Sequence, residues 1–386
     1  MNKKIKVLQV IPRLGFGGAE TGCYDLAHFL PEKGAKSYII TSGGELLKFV
    51  NKKKVKIFRL PVQSKNPILI LLNAILLSII ILVLKINIVH ARSRAPAWSC
   101  LISCFLTRRK FVTTFHGTYN FKSNLKKFYN SIMVRSNLVI AGSNFIFSHL
   151  QNNYKKFFEN EKRKVLVIFR GINTEYFNSK RVDQNKVSVF MDQWKLDQNN
   201  YNILMPGRLT NWKGQSVFIE ALNILSSSDT VPFNGIILGS DQGRKIYRKK
   251  LEALVQQYRL SKKIKFISHC SEMPVAYKAV DLIVSASIEP EAFGRTSVEA
   301  QSMGKIIIAS NIGGSKETVV NDKTGFFFES GNAQSLADTI KKVMTLDNNT
   351  LQSMGSEGRK NVLKKFDVEK MCYSTFIEYR KLFKKN

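Results

Sequence analysis

Acidic residues are the conspicuous shortage in this chain. Between Leu46 and Phe158, a span of 113 residues, there is no Asp or Glu, while Lys and Arg number 19. Over all 386 residues, 60 Lys and Arg face 28 Asp and Glu, a net charge of +32. A surface so poor in acid repels cations and attracts polyanions, and nucleic acid and anionic lipid are the two partners of that kind. Cysteine is scarce as well. The five present (Cys23, Cys100, Cys104, Cys270, Cys372) are odd in number and lack metal-ligand spacing. They argue against a disulfide framework or a zinc site and fit a reducing compartment, the cytoplasm. The start, Met1-Asn-Lys-Lys-Ile-Lys-Val7, runs straight into a strand, without the apolar core or cleavage site of a signal peptide.

Other absences narrow the chemistry. There is no G-K-[ST] phosphate loop, no H-E-x-x-H and no nucleophile elbow. Aromatic RNA-binding signatures are missing, as are short internal repeats. Long apolar runs are also lacking, with one exception. Pro67 to Leu84 is 18 residues without a charge, the lower limit for a spanning helix. Three readings compete: a spanning helix, a buried core helix, and a helix partly exposed at a membrane surface. Asn73 and Ser78 interrupt the run. Lys52, Lys53, Lys54, Lys56, Lys65 and Lys85 surround it, and an apolar patch with basic charge makes a two-part anchor.

What is present is an alternation of short apolar strands and helical patterns. Ile5–Ile11, Lys36–Thr41, Val55–Leu60, Asn87–His90, Lys110–Phe115, Leu138–Ala141 and Val165–Phe169 read as buried strands. After a polar stretch, Asn178–Asn200, with Met191 and Trp194 as packing residues, the alternation restarts at Asn202–Met205. This is an α/β chain with two Rossmann-like, doubly wound parallel-sheet domains facing across a cleft. The expected boundaries are 1–177 for a basic, membrane-facing, acceptor-side domain and 178–365 for a nucleotide-binding domain. Residues 366–386 form a terminal helix packing back toward the first domain. Ligands in such sheets bind outside the carboxyl ends of the strands, so the cleft is the expected site.

The stretch Glu289-Pro-Glu-Ala-Phe-Gly-Arg-Thr-Ser-Val-Glu-Ala300 carries the strongest chemical signal. It sets Glu291 on a loop and Glu299 in the first turn of a helix whose positive end suits a diphosphate. Thr296-x-x-Glu299 is also a capping box, in which Glu299 would only bond back to its own helix start. Pro206-Gly207-Arg208, with Lys213-Gly214, follows the first strand of the second half. Arg grips phosphate with a planar fork and Lys acts as a point charge. Gly15-Phe-Gly-Gly-Ala-Glu20 opens the first helix and lets a backbone approach a ligand. His116 closes a strand beside Gly117. His90 has the same setting, and the nearby Arg92 and Arg94 either hold an anionic acceptor or belong to the basic face.

These pieces together resemble the family-four glycosyltransferases of GT-B architecture. The matching residues are Gly17-Gly18-Ala19-Glu20, Thr114-Phe-His116-Gly117, Ala141-Gly-Ser143, Arg170-Gly-Ile-Asn173, Gly207-Arg208, Lys213-Gly214, Glu291-x7-Glu299, Gly313-Gly314 with Glu317, and Thr324-Gly325. They run in family order through nearly the whole chain. Val89-His-Ala-Arg-Ser-Arg-Ala-Pro-Ala-Trp98 and Phe169-Arg-Gly-Ile-Asn173 further resemble the subgroup that assembles lipopolysaccharide or other envelope glycans. Arg170 stands where relatives commonly have Asn or Pro, and Ser268-His269-Cys270 where they often have glycine.

The resemblance implies a retaining hexosyl transfer from a UDP- or GDP-linked sugar, with no cofactor and no metal. The absence of Asp-x-Asp agrees with the last point. It also implies roles. Arg208 and Lys213 neutralise the leaving diphosphate, Glu291 orients the donor sugar, and Glu299 binds the ribose hydroxyls. His116 lies beside the sugar. Gly17, Gly18, Phe293, Gly294, Arg295, Thr296 and Ser297 line the donor, with backbone N–H groups on phosphate and sugar oxygens. Family retaining enzymes have no agreed covalent nucleophile, and none is assigned. The expected acceptor is a glycolipid or lipopolysaccharide precursor, with Arg92 and Arg94 as candidate contacts. The protein is expected on the anionic inner face of the cytoplasmic membrane, with no nucleic acid partner. Two other readings share some of these features. A GT-B nucleotide-sugar epimerase would release an epimer without acceptor, visible in a donor-only NMR assay. A basic nucleic-acid-binding protein on a dead transferase fold would show salt-sensitive RNA binding and no nucleoside-diphosphate binding.

Overall fold

In the computed structural model the chain forms two units, residues 1–171 with 368–386, and residues 172–367. The structure describes residues 4–119, 121, 123–158, 164–227 and 231–384, so Met1 to Lys3 of the amino-terminal run lie outside the described residues.

The first unit holds seven parallel strands: β1 (Lys6–Val10), β2 (Lys36–Thr41), β3 (Val55–Arg59), β4 (Ile88–Ala91), β5 (Lys110–Phe115), β6 (Leu138–Ala141) and β7 (Lys164–Val167). Their order is β3-β2-β1-β4-β5-β6-β7. The chain steps one way from β1 to β3 and the other way from β4 to β7, so the topological switch lies between β1 and β4. β1, β2, β4, β5 and β6 are buried along nearly their whole length, which explains their continuous Val, Ile and Leu content. The helices joining them are α1 (Gly18–Glu32), α2 (Pro67–Val83), α3 (Arg94–Thr107), α4 (Asn124–Ser131) and α5 (Asn144–Tyr154).

α2 resolves the ambiguous apolar run. Its start is fixed by Asn66, whose side chain accepts from the N–H of Ile68 at 2.9 Å, and by Pro67 at the first helical position. Asn73, Ala74, Leu77 and Ile81 are buried. The opposite side is exposed, so the helix is not a core helix. Among the described residues, no helix is long and apolar enough to cross a membrane.

The second unit has six parallel strands: β8 (Tyr201–Pro206), β9 (Phe233–Leu238), β10 (Ile264–Ile267), β11 (Leu282–Ser285), β12 (Ile306–Ser310) and β13 (Phe326–Phe328). Their order, β10-β9-β8-β11-β12-β13, puts the switch between β8 and β11. Around them run α6 (Gln184–Gln193), α7 (Gln215–Ser226), α8 (Lys245–Gln257), α9 (Met273–Lys278), α10 (Arg295–Ser302), α11 (Ser315–Thr318), α12 (Ala333–Met344) and α13 (Asn348–Lys365). The polar stretch expected between domains contains α6, which packs on α9 through Val187, Val275 and Ala279, with Met191 against that cluster. Trp194 is buried and meets Phe190 at a tilt, ring centroids 3.8 Å apart.

The chain then returns to the first unit as α14 (Val368–Lys384), which packs on α1. Its buried Tyr379 bonds His90 on β4 at 2.5 Å. All five cysteines are free thiols, four of them buried.

Candidate active site

Both switch points carry candidate residues, and the second unit gathers the larger set. Arg208 and Lys213 follow β8, and Glu291 follows β11, its neighbour in the sheet. The two loops are tied together. The Ile288 N–H donates to the Trp212 carbonyl at 2.8 Å. Gly214 has φ +75°, and a Cβ there would collide with the Ala286 carbonyl oxygen. Glycine is therefore demanded twice, by conformation and by contact. Gly214→Ala is expected to destabilise by about 3 kcal/mol, summing left-handed strain and overpacking. Gly243, at φ +83° with open space around it, meets only the strain. Its change to Ala should cost about 1–2 kcal/mol. Equal losses in urea denaturation would show that the Ala286 contact is not what requires Gly214.

This tie brings together two residues assigned separate tasks from sequence. Lys213 Nζ lies 2.8 Å from Glu291 Oε1, with both side chains largely buried. Ser287 Oγ donates to the same oxygen, and Ser285 Oγ approaches it at 3.5 Å. Burial pushes the Glu291 carboxyl up, but the Lys213 charge and the serine hydroxyls outweigh it and hold the group below its ordinary value. All these contacts fall on Oε1. Oε2 accepts from no group among the described residues. The Lys213 ammonium also sits over the Trp212 ring, 4.5 Å from its centroid.

Arg208 is different. It is exposed and has no ion pair among the described residues. Its backbone is held, since Gln215 Nε2 donates to its carbonyl at 2.9 Å and the Gly207 N–H donates to Leu238.

α10 begins at Arg295, with Gly294 as N-cap in the left-handed region, φ +84°. The capping box that Thr296 offered as the alternative to a ligand role is therefore not formed, because the helix already starts before it. Glu299 bonds elsewhere: Tyr277 Oη donates to Oε2 at 2.9 Å and Arg295 Nε to Oε1 at 2.6 Å. A carboxylate offers about four acceptor positions, so roughly two remain. Phe293 is buried edge-on against Phe366, and Ser297 is buried with no partner for its Oγ among the described residues. Thr296 is half-buried. The glycine pair Gly313-Gly314 presses on this loop. The Gly314 N–H donates to the Glu291 carbonyl at 2.8 Å, and a Cβ at Gly314 would lie 2.7 Å from Phe293 backbone atoms.

In the first unit, Gly17 is the N-cap of α1, directly after β1 and its loop. The Glu20 carboxylate lies against Gly17, and the Arg170 guanidinium packs on Gly18 and donates to its carbonyl. The helix N-terminus thus already faces an anionic side chain. His116 directly follows β5, and neither of its buried ring nitrogens has a partner among the described residues. Burial, then the Arg170 and Arg92 charges, hold its pKa well below the usual imidazole value, so it is neutral at pH 7. Arg92 corrects an expectation. It is an interior residue, not a surface cation, with Nε 2.9 Å from Gln9 Oε1 and Nη2 reaching the Gly22 carbonyl. Its Nε and Nη2 donors are engaged inside the fold. Arg94, half-buried, donates to Asn130 at 2.8 Å and covers the Tyr119 ring.

Sequence reasoning missed Tyr277, Ser285, Ser287 and Gln9. The two serines carry a faint signal, alternating small polar residues at the end of an apolar strand. Tyr277 and Gln9 carry none.

Comparisons with known proteins agree with this fold. Residues 16–176 match the family Glycosyltransferase Family 4, and residues 187–361 match Glycosyl transferases group 1. The crystal structure of a glycosyltransferase from Rickettsia africae ESF-5 is 37% identical with TM-score 0.89, covering 99% of this chain and 100% of that one. Anabaena HepE, crystallised with UDP and glucose, shares the fold at 22% identity and TM-score 0.81, over 98% of this chain and 100% of its own. The capsular polysaccharide biosynthesis glycosyltransferase CapM of Staphylococcus aureus is 27% identical over 226 residues, 56% of this chain. The chain spans 57% of that relative's length. Two parallel Rossmann-like sheets, the paired motifs at their switch points and these matches together establish that the chain belongs to glycosyltransferase family 4, with the GT-B fold.

Proposed function

We propose that the protein transfers a hexosyl group, with retention, from a UDP- or GDP-linked sugar to a lipid-linked or lipopolysaccharide-type acceptor, without a metal. The observation that carries this is the arrangement at the β8–β11 switch: an exposed Arg208 with no ion pair among the described residues, a neutralised Lys213–Glu291 pair whose second carboxylate oxygen has no partner among them, and Glu299 with acceptor capacity to spare. Departure of a diphosphate needs positive charge where negative charge grows. Arg208 supplies it, and Lys213 contributes while anchoring Glu291. Glu291 Oε2 accepts from a sugar hydroxyl, and Glu299 accepts from the ribose. Backbone N–H groups at the start of α10 face the phosphates, and neutral His116 offers one donor and one acceptor to the sugar. The capsular relative and the subgroup resemblance support an envelope glycan as product. The acid-free span from Leu46 to Phe158 in the first unit supports peripheral attachment at the cytoplasmic leaflet.

Loss of Glu299 tests the ribose contact. A hydrogen bond to a charged group contributes about 1.5–3 kcal/mol, so Glu299→Ala should weaken UDP or GDP binding roughly 10- to 100-fold by calorimetry. Glu299→Gln, which still accepts from Tyr277, should lose less. Wild-type affinity in both would remove Glu299 from the nucleotide site. The anomeric configuration of the product, read by NMR, tests retention.

A further inference from the structure

We propose that the outer face of α2, continued by the end of α3 and the start of α4, inserts into the interfacial layer of an anionic bilayer. The helix lies in the membrane plane and does not span it. The proposal deepens the envelope-acceptor reading and rests on it only for the choice of the cytoplasmic leaflet.

Ile68, Leu72, Ile75, Ile79, Leu82 and Val83 fall at helical spacing along one side of α2, and all are exposed, from 47% at Leu72 to 76% at Ile68. A stripe of this kind on a soluble surface marks a contact. Neighbouring α3 is packed beside α2, with Ser99 Oγ donating to the Ile70 carbonyl at 2.9 Å, and it exposes Phe105 (83%) and Leu106 (61%). Trp98 of α3 meets Phe128 of α4 at 5.6 Å between centroids, and Phe128 and Leu125 are exposed in turn. The apolar residues therefore sit on three elements, with α3 in contact with both α2 and α4.

Length and mooring decide the orientation. The 17 residues of α2 reach about 26 Å at ~1.5 Å each, short of a ~30 Å hydrocarbon core. Its inner face is fixed to the protein, with Asn73 Nδ2 donating to the Pro61 carbonyl at 3.1 Å. An interfacial helix with basic flanks fits that geometry.

Charge identifies the partner. Exposed Lys65 and Lys85 bracket α2, Arg108 follows Phe105 and Leu106, and Lys126 follows Leu125. No acid occurs between residues 46 and 158. Two copies meeting through this face would bring like charges together, whereas anionic headgroups complement them. Lys54 is partly engaged, 3.0 Å from Glu32, so Lys65 and Lys85 are the better probes of charge.

The test is sedimentation of the full-length protein with vesicles of phosphatidylcholine containing phosphatidylglycerol, against pure phosphatidylcholine. Strong binding is expected to the anionic vesicles only, weakening as salt rises from about 0.1 M to about 1 M and the Debye length falls from ~10 Å to ~3 Å. Ile75→Gln/Ile79→Gln/Leu82→Gln should lower partitioning by more than about tenfold. Lys65→Glu/Lys85→Glu should lower it on anionic vesicles. Both variants change exposed side chains, so thermal midpoints and nucleoside-diphosphate binding should match wild type. That keeps this result separate from the fate of the donor site. Equal binding to neutral vesicles, or unchanged binding in the triple variant, overturns the proposal. So does a concentration-dependent dimer that the triple variant abolishes, because a second copy would then cover the face.

Discussion

Arg208→Ala is expected to lower turnover by about 10²- to 10³-fold, the usual cost of removing one group that stabilises transition-state charge. The expectation rests on how differently the two cations of the β8 loop are engaged. Lys213 is committed to Glu291 at 2.8 Å. Arg208 is exposed, pairs with no acid among the described residues, and has its backbone held by Gln215 and Leu238. Its side chain is therefore available to a ligand without any native contact being broken. Removal should leave the thermal midpoint unchanged and depress kcat more than donor KM, because the charge matters most as the diphosphate departs. Arg208→Lys should recover part of the rate, since a point charge replaces the planar fork. Steady-state kinetics on the three proteins decides this. Full activity in Arg208→Ala would move the leaving-group stabilisation elsewhere.

Lys213→Ala is expected to cost about 3–5 kcal/mol of stability, because it leaves a buried carboxylate without its counter-ion. The serine hydroxyls at Ser287 and Ser285 hold Glu291 only in part. Replacing both partners, as Lys213→Met/Glu291→Leu, should restore most of the stability while abolishing transfer. That outcome would separate structure from chemistry in a way neither single change can. The pair also sets a pH dependence. The folded-state pKa of Glu291 is depressed below its ordinary value of 4.5, so its contribution is present above that value. It is lost as pH falls through the lower folded-state value. Wild type should therefore lose stability in acid, and the double variant should lose less. Urea midpoints across the acid range check both points, and parallel curves for the two proteins would contradict the assignment.

Much of this arrangement was legible before any coordinates. Short apolar runs followed by Gly or polar residues mark strand ends, and Gly17, Arg92, His116, Arg208 and Glu291 all fall there. Strand alternation also gave two Rossmann-like sheets. The partners were not legible. Lys213 and Glu291 are 78 residues apart, and Gln9 and Arg92 are 83 apart. Such pairings depend on strand order, which leaves no local trace. The Thr296-x-x-Glu299 pattern left a capping box open beside the ligand role for a related reason. Gly294 in the left-handed region starts α10 earlier, and Tyr277 from another helix takes the carboxylate. α2 was ambiguous because it is apolar on every side, so periodicity does not show which face packs. Only its contacts with Pro61 and α3 identify the outer face.

The most direct test of the central claim is thermal stabilisation by UDP, GDP and ADP, followed by consumption of the matching sugar nucleotide, for wild type, Glu299→Ala and Arg208→Ala. One diphosphate should raise the midpoint of wild type and of Arg208→Ala but much less that of Glu299→Ala, while Arg208→Ala loses turnover. Stabilisation by none of the three, or wild-type turnover in both variants, would contradict a nucleotide-sugar site at the β8–β11 switch.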